Sequence, residues 1–169
     1  MTRITELAKY LIKSYETNNN AEFEKSELKL QKLMYFAQRE AIAITGEPLF
    51  ENQFEGWQYG PVLTELRHFF EEDQSKSVID LDETSKYIID NTVTRYGKYE
   101  TWYIANLSHK ETSWKNSRKG LSDNEKGNNL IKLEDIKKDA DNVRVYDHLY
   151  DMYIDEFEEA DEENMNFGL

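Results

Sequence analysis

The side chains in this sequence that could do chemistry are three histidines, His68, His109 and His148, a large pool of carboxylates, and two lysines, Lys29 and Lys32, set among apolar residues. A histidine two residues from a carboxylate, as in His109-Lys-Glu111, is raw material for acid–base or metal chemistry, because imidazole changes charge near neutrality. Each histidine stands alone in sequence, so such a role requires the fold to bring them together. Cysteine is absent, which removes disulfides, thiolate metal sites and thiol nucleophiles. The chain has no glycine-rich phosphate loop, no Gly-x-Ser-x-Gly turn and no His-Glu-x-x-His pair. No catalytic, metal or cofactor residue is therefore assigned, no cofactor is expected, and His68 and His148 read as ordinary helix-surface histidines.

Three constellations carry more information. In Lys29-Leu30-Gln31-Lys32-Leu33-Met34-Tyr35-Phe36-Ala37, apolar side chains interlock with two lysines and a glutamine on one helix. In Phe54-Glu55-Gly56-Trp57-Gln58-Tyr59-Gly60-Pro61-Val62, a glycine before a proline permits a sharp turn, with Trp57 and Tyr59 lying against it. In the stretch from Leu107 to Arg118, Thr112 or Ser113 can cap a short helix that carries Trp114 and Arg118 one turn apart, and His109 and Trp114 close a polar rim.

Those residues need elements to hold them. Only two prolines and seven glycines interrupt the chain, and apolar residues recur mostly at helical spacing. The reading is a mainly α, single compact domain of about six to seven helices, with at most a small two-stranded β element near residues 50–58 and 130–133. A first helix starts near Thr2 and fades into Asn18-Asn19-Asn20; a second is capped by Ser26 and stopped by Gly46. Gly60-Pro61 is expected to open a third, with Val62, Leu63, Leu66, Phe69 and Phe70 on one face. Further helices are expected over about Asp82–Tyr96, Tyr99–Ser108 and Glu134–Phe157, with a loop from Lys119 to Asn129. The domain is placed at residues 1–157 and an acidic C-terminal tail at 158–169.

The chain has 169 residues, 38% hydrophobic and 33% charged, with 11 Tyr, 8 Phe and 3 Trp, enough apolar and aromatic surface for a real core. Its net charge is −13, of which Asp151 to Leu169, with eight acidic residues and no basic one, contributes −8. A pI near 4.7 argues against nucleic-acid binding, since duplex affinity comes largely from Lys and Arg displacing counterions. No segment approaches the ~20 apolar residues of a membrane span, and the N-terminus turns polar before a signal region forms. A cytoplasmic protein with a basic partner is expected, no membrane contact is, and the oligomeric state is open.

In order and at this spacing, Lys-Leu-Gln-Lys-Leu-x-Tyr-Phe-Ala-Gln (29–38), Gly-x-Pro-Leu-Phe (46–50), Phe-Glu-Gly-Trp-Gln-Tyr-Gly-Pro-Val (54–62) and Ser-His-x-Glu-x-x-Trp (108–114) resemble the Panacea domain, also described as the SocA-like or phage-associated GepA-type domain. The resemblance implies an antitoxin, the neutralising half of a toxin–antitoxin pair, acting by protein–protein binding and not by catalysis, with its toxin encoded by the adjacent gene. The family signature falls on Lys29, Leu30, Gln31, Lys32, Leu33, Tyr35, Trp57, Tyr59, Gly60, Pro61, Val62, His109, Glu111 and Trp114. Of these, Lys29, Gln31, Lys32, Tyr35, Trp57, Tyr59, Gly60, Pro61, His109, Glu111 and Trp114 are the candidate partner-binding residues. The chain departs from the family pattern at Leu66-Arg67-His68, where an aromatic is common, at Gly56, often alanine, and at Ser113, often proline.

A −13 partner suits occlusion of a toxin with a basic active cleft, electrostatics setting encounter and aromatic anchors supplying affinity. Candidate anchors are Trp57, Tyr59, Trp102 and Trp114. Alternatives are a protease adaptor or phage-associated regulatory binding protein that presents a client, and a metal-dependent hydrolase using Glu111 and His109. The basic cluster Lys110, Lys115, Arg118 and Lys119 is free to meet an acidic partner or the chain's own tail.

Overall fold

Helix α2, Glu27–Thr45, is the axis around which the other elements assemble, and it is buried continuously from Lys29 to Ile42. The computed structural model describes residues 2–72 and 80–143. Ser26 caps α2 as its sequence predicts, its hydroxyl accepting from the Lys29 N–H at 3.1 Å, and Gly46 ends it at φ +81°. Helix α1, Arg3–Asn19, buries Ile4, Leu7, Ala8 and Leu11 and packs chiefly on α3, Glu83–Tyr96. Asp82 caps α3, accepting from the Ser85 N–H at 3.2 Å. Helices α4, Thr101–His109, α5, Thr112–Ser117, and α6, Leu133–Asp141, complete the shell, with α3, α4 and α6 all resting on α2. Aromatic pairs tie this shell to the axis: Phe36 stacks on Tyr96 at 4.6 Å and Tyr35 meets Phe54 edge-on at 5.5 Å.

A helix buried on every side cannot hydrate its polar side chains, so each must find a partner within the protein. Gln38 does this with a loop: its carbonyl accepts from the N–H of Leu49 at 2.7 Å and of Phe50 at 3.2 Å, while its amide donates to Phe50 O at 2.9 Å. Gln31, two turns earlier on the same face, accepts from the Leu63 N–H at 2.7 Å and donates to Leu63 O at 2.9 Å. Two glutamines thus do for residues 49–50 and 63 what a neighbouring strand does in a sheet. Lys29 donates to the Tyr15 hydroxyl at 3.3 Å, its ammonium 4.6 Å from that ring's centre.

The expected helix at Gly60-Pro61 does not form. Gly60–Val62 is instead strand β2, antiparallel to β1, Glu55–Trp57, with Glu55 opposite Val62 and Trp57 opposite Gly60. Gly60 sits at φ +119°, outside the helical region, and the Gln31 amide claims both backbone groups of Leu63, which holds the chain extended there. Only single 3₁₀ turns follow, Thr64–Leu66 and Phe69–Glu71, separated by His68 at φ +65°. The small β element is present, but residues 130–133 contribute only one bridge to it, Leu130 to Glu55. α6 begins at Leu133 and ends at Asp141, and Asn142 and Val143 leave the helix, so the helix expected from Glu134 to Phe157 stops short within the described residues; its part at 144–157, and the tail at 158–169, lie outside them. Among the described residues no helix is long and apolar enough to cross a membrane.

Replacing Gln38 by leucine keeps the volume and strands two backbone donors and one acceptor in the interior. With each unpaired buried group costing ~1–3 kcal/mol before relaxation, Gln38→Leu is expected to lose about 2–4 kcal/mol, read as a lower urea midpoint at unchanged m-value. Gln53→Leu, at an exposed position, is the control; equal midpoints for the two variants would remove Gln38 from this role.

Candidate functional site

Lys32, Trp57, Tyr59, Gly60, Pro61, His109 and Trp114 meet at one corner of the molecule, where the start of α2, the β1–β2 hairpin and the α4–α5 junction come together, while Lys29 turns to Tyr15 of α1 and Glu111 to Arg39. Lys32 lies at the base of this corner. It has no exposed surface, and its ammonium donates to Pro61 O at 2.8 Å. Burial, opposed by the charge of Glu27, pushes Lys32 down from 10.5 to about 7. The positive φ of Gly60 lets the hairpin close onto this side chain: a Cβ there would sit 2.6 Å from Lys32 Cε and 2.6 Å from Ser108 Oγ. Pro61, which has no N–H to lose, offers the carbonyl that Lys32 uses.

Trp57 and Trp114 form the wall. The Trp114 indole N–H donates to Trp57 O at 2.8 Å and the Trp57 N–H to Glu55 at 3.0 Å. His109 stacks on Trp114 with ring centres 4.3 Å apart and 13° between planes. Burial lowers the His109 pKa, a hydrogen bond to the Tyr59 backbone opposing it, and its Nε2 is buried without a partner. Burial thus favours the uncharged imidazole, packed as a flat ring on Trp114. Between Trp57, Tyr59 and the first turns of α2 the surface opens into a hollow of about 390 Å³, lined by Leu28, Gln31, Lys32 and Val62 and edged by Glu27, Arg67 and Lys126.

Behind this wall runs a buried ionic network. Arg39, on α2, pairs with Glu111 and donates to the Tyr96 hydroxyl; Glu40, with no exposed surface, receives Arg95 at 3.2 Å. Burial pushes the Glu111 carboxyl up to about 7, with Arg39 holding it against a further rise. The Tyr35 hydroxyl meets Ser113 Oγ at 2.8 Å, and its phenol is raised by burial. Ser113 N–H in turn donates to Asp139 of α6 at 2.8 Å, so the serine at this departure from the family pattern has two partners in the interior.

Of the eleven candidate residues, Lys29, Gln31, Lys32, Tyr35, Gly60, Pro61 and Glu111 are buried, Trp57, His109 and Trp114 are half-buried, and Tyr59 is 64% exposed. His109 and Glu111 do not share a site: the imidazole faces Trp114 and the carboxylate faces Arg39. Among the described residues no group of three His, Asp or Glu side chains is placed to hold a metal. The expected basic cluster is divided. Arg118 is buried and donates to the carbonyls of Gly56, Ser122, Glu125 and Lys126, clipping the 119–129 loop to the hairpin, whereas Lys110, Lys115 and Lys119 are exposed.

Sequence reasoning missed Gln38, Arg39, Glu40, Arg67 and Lys126. For the first three the signal was available, since three polar residues in a row interrupt the apolar run Leu33–Ala37 and Ala41–Ile44 of one helix. For Arg67 and Lys126, which lie 5.1 Å and 4.1 Å from the Trp57 ring centre, separation in sequence hid the contact.

A family model described as "Antitoxin SocA-like, Panacea domain" matches residues 30–115, a stretch running from the second buried residue of α2 to one residue past Trp114. No curated protein and no solved structure matches the chain.

Lys32 yields a pH prediction. Unfolded, it titrates near 10.5; folded, at about 7. Between those values the unfolded chain binds the extra proton, so stability rises with pH. The window closes near 10, where the raised phenols of Tyr35 and Tyr96 make stability fall again. Lys32→Met is expected to flatten the rise from pH 7 to 10, worth several kcal/mol at ~1.4 per pH unit, in urea titrations across that range; an unchanged slope would show that Lys32 stays charged in the fold.

Proposed function

The chain belongs to the SocA-like Panacea antitoxin family, and from that premise we propose that it neutralises a protein toxin, encoded by the adjacent gene, through direct binding. Membership of the family supports an antitoxin-type role without catalysis. What supports binding as the mechanism is that Tyr59 and Trp102, two large aromatics, are left 64% and 62% exposed on a body whose other motif side chains serve the fold. Aromatics of this kind are the side chains that carry interface energy when a partner covers them. Three motif groups that could have done acid–base work are committed elsewhere: Lys32 to Pro61 O, Glu111 to Arg39, His109 to the face of Trp114.

The net charge of −13 fits a toxin whose active cleft is basic, since opposite fields speed encounter and set orientation. Trp102 is held by its indole N–H, which donates to Glu100 at 2.7 Å, and by Tyr103, whose ring meets it edge-on at 5.9 Å. Such an anchor is ordered before binding, which lowers the entropy lost on association.

The reading is tested by expressing the adjacent gene in an inducible host with and without this protein, then assaying the purified pair with no protease present. Growth arrest by the neighbour, rescue by co-expression and inhibition in the purified mixture are expected. A harmless neighbour, or rescue that needs a protease, would overturn direct neutralisation. Trp102→Ala and Tyr59→Ala are each expected to weaken the complex at least tenfold, about 1.4 kcal/mol or more, at unchanged melting temperature. Full affinity in both variants would move the interface elsewhere while leaving the rescue result to stand for the function.

A further inference from the structure

Trp57 is boxed by cations on an otherwise acidic molecule. Lys126 Nζ stands 4.1 Å from its ring centre and the Arg67 guanidinium 5.1 Å. Arg67 is fixed by the Glu27 carboxylate, whose second oxygen accepts from the His68 N–H at 2.7 Å. Lys126 is placed by Arg118, which donates to the Lys126 carbonyl at 2.9 Å and to Gly56 O at 3.0 Å. Beside the ring lies the hollow of about 390 Å³, where Leu28, 38% exposed, and Val62 give an apolar floor and Tyr59 a rim. Among its lining residues Arg67 and Lys126 are the cations open to solvent, Lys32 is buried against Pro61 O, and Glu27 is the one acid. An apolar hollow between two positioned cations calls for an occupant with an apolar side chain flanked by carboxylates.

We propose that this hollow is the docking site of the chain's own segment Asp155-Glu156-Phe157-Glu158-Glu159. Phe157 has two carboxylates on each side, and the stretch from Asp151 to Leu169 holds eight acidic residues and no basic one. Phe157 fills the space between Leu28, Val62 and Trp57, while the flanking carboxylates meet Arg67 and Lys126. From Val143, the last described residue, twelve residues extend up to ~40 Å, against a radius of gyration of about 15 Å for a domain of this size. Tethering supplies an effective concentration of the order of millimolar, so a contact that would be weak between separate molecules forms within one. The contact does not depend on the neutralisation reading; where that reading holds, the docked segment covers Tyr59 and a toxin must displace it.

Zero-length carbodiimide coupling of the full chain tests this, because it joins an amine only to a carboxylate in contact with it. An equal mixture of unlabelled and ¹⁵N-labelled protein is coupled, digested and read by mass spectrometry. Lys126 is expected to join carboxylates among residues 155–159, within one isotopic copy. The yield is expected to fall at least fivefold in Phe157→Ala and in 1 M salt, where the Debye length is ~3 Å. Phe157 lies outside the described core, and Arg67→Glu gives a second variant on the groove side with the same expected loss. Mixed-isotope products would overturn the proposal in favour of a second copy in the hollow. Lys126 joined only to other carboxylates, or joined to residues 155–159 at equal yield in Phe157→Ala, would overturn it as well.

Discussion

A helix enclosed on all sides can carry amides and charges only if the chain around it is shaped to meet them, because a buried polar group without a partner costs more than a typical hydrogen bond contributes. In this protein α2 carries Lys29, Gln31, Lys32, Gln38, Arg39 and Glu40 into the interior, and the rest of the structure is arranged around their demands. The loop at Leu49–Phe50 and the extended backbone at Leu63 lie where Gln38 and Gln31 supply the hydrogen-bond partners a sheet would supply. The hairpin turn sits where Lys32 needs an acceptor, and α3 and α5 bring Tyr96, Arg95 and Glu111 to Arg39 and Glu40. Breaking one partner of such a buried pair leaves the other uncompensated, so the arrangement selects one packing strongly even though a buried ion pair adds little net stability.

This division of labour bears on how a binding protein can be built. Specificity of fold is delegated to polar contacts inside, while the surface is left with large aromatics that have no internal duty. Tyr59 projects from a hairpin whose neighbours on both sides are fixed, Trp57 by Trp114 and Glu55, Gly60 by Lys32 beneath it. Trp102 stands on α4, whose inner face, Ile104, Ala105 and Ser108, is buried. Rigid backbone beneath an exposed ring is a favourable starting point for an interface, since little order remains to be imposed when a partner arrives. The same body can then accept changes at the exposed positions without disturbing the interior contacts, because surface substitutions away from such networks shift stability little.

The elements whose instructions are local were legible in the sequence. Ser26 and Gly46 bracket α2 because a capping hydroxyl and a left-handed glycine act within a few residues; Asp82 likewise opens α3 one residue from the expected start. The mainly helical class, the small hairpin and the family followed from periodicity and from an ordered set of short motifs. Gly60-Pro61 was misread as a helix start because proline at a first helical turn and proline in a short hairpin strand look alike until the φ of the glycine before it is known.

Sequence by itself therefore singled out the motif residues, through helical spacing and motif order, and set the acidic character of the whole. It did not determine their roles. Whether Lys32 reaches a partner or a carbonyl 29 positions away, whether Glu111 faces His109 or Arg39, and whether Trp57 or Tyr59 keeps its face to solvent, were decided by tertiary structure. The physical reason is that burial sets the role of a polar side chain: the same lysine or glutamine that would greet a partner at the surface must, once enclosed, pair with whatever backbone or charge the fold brings alongside it.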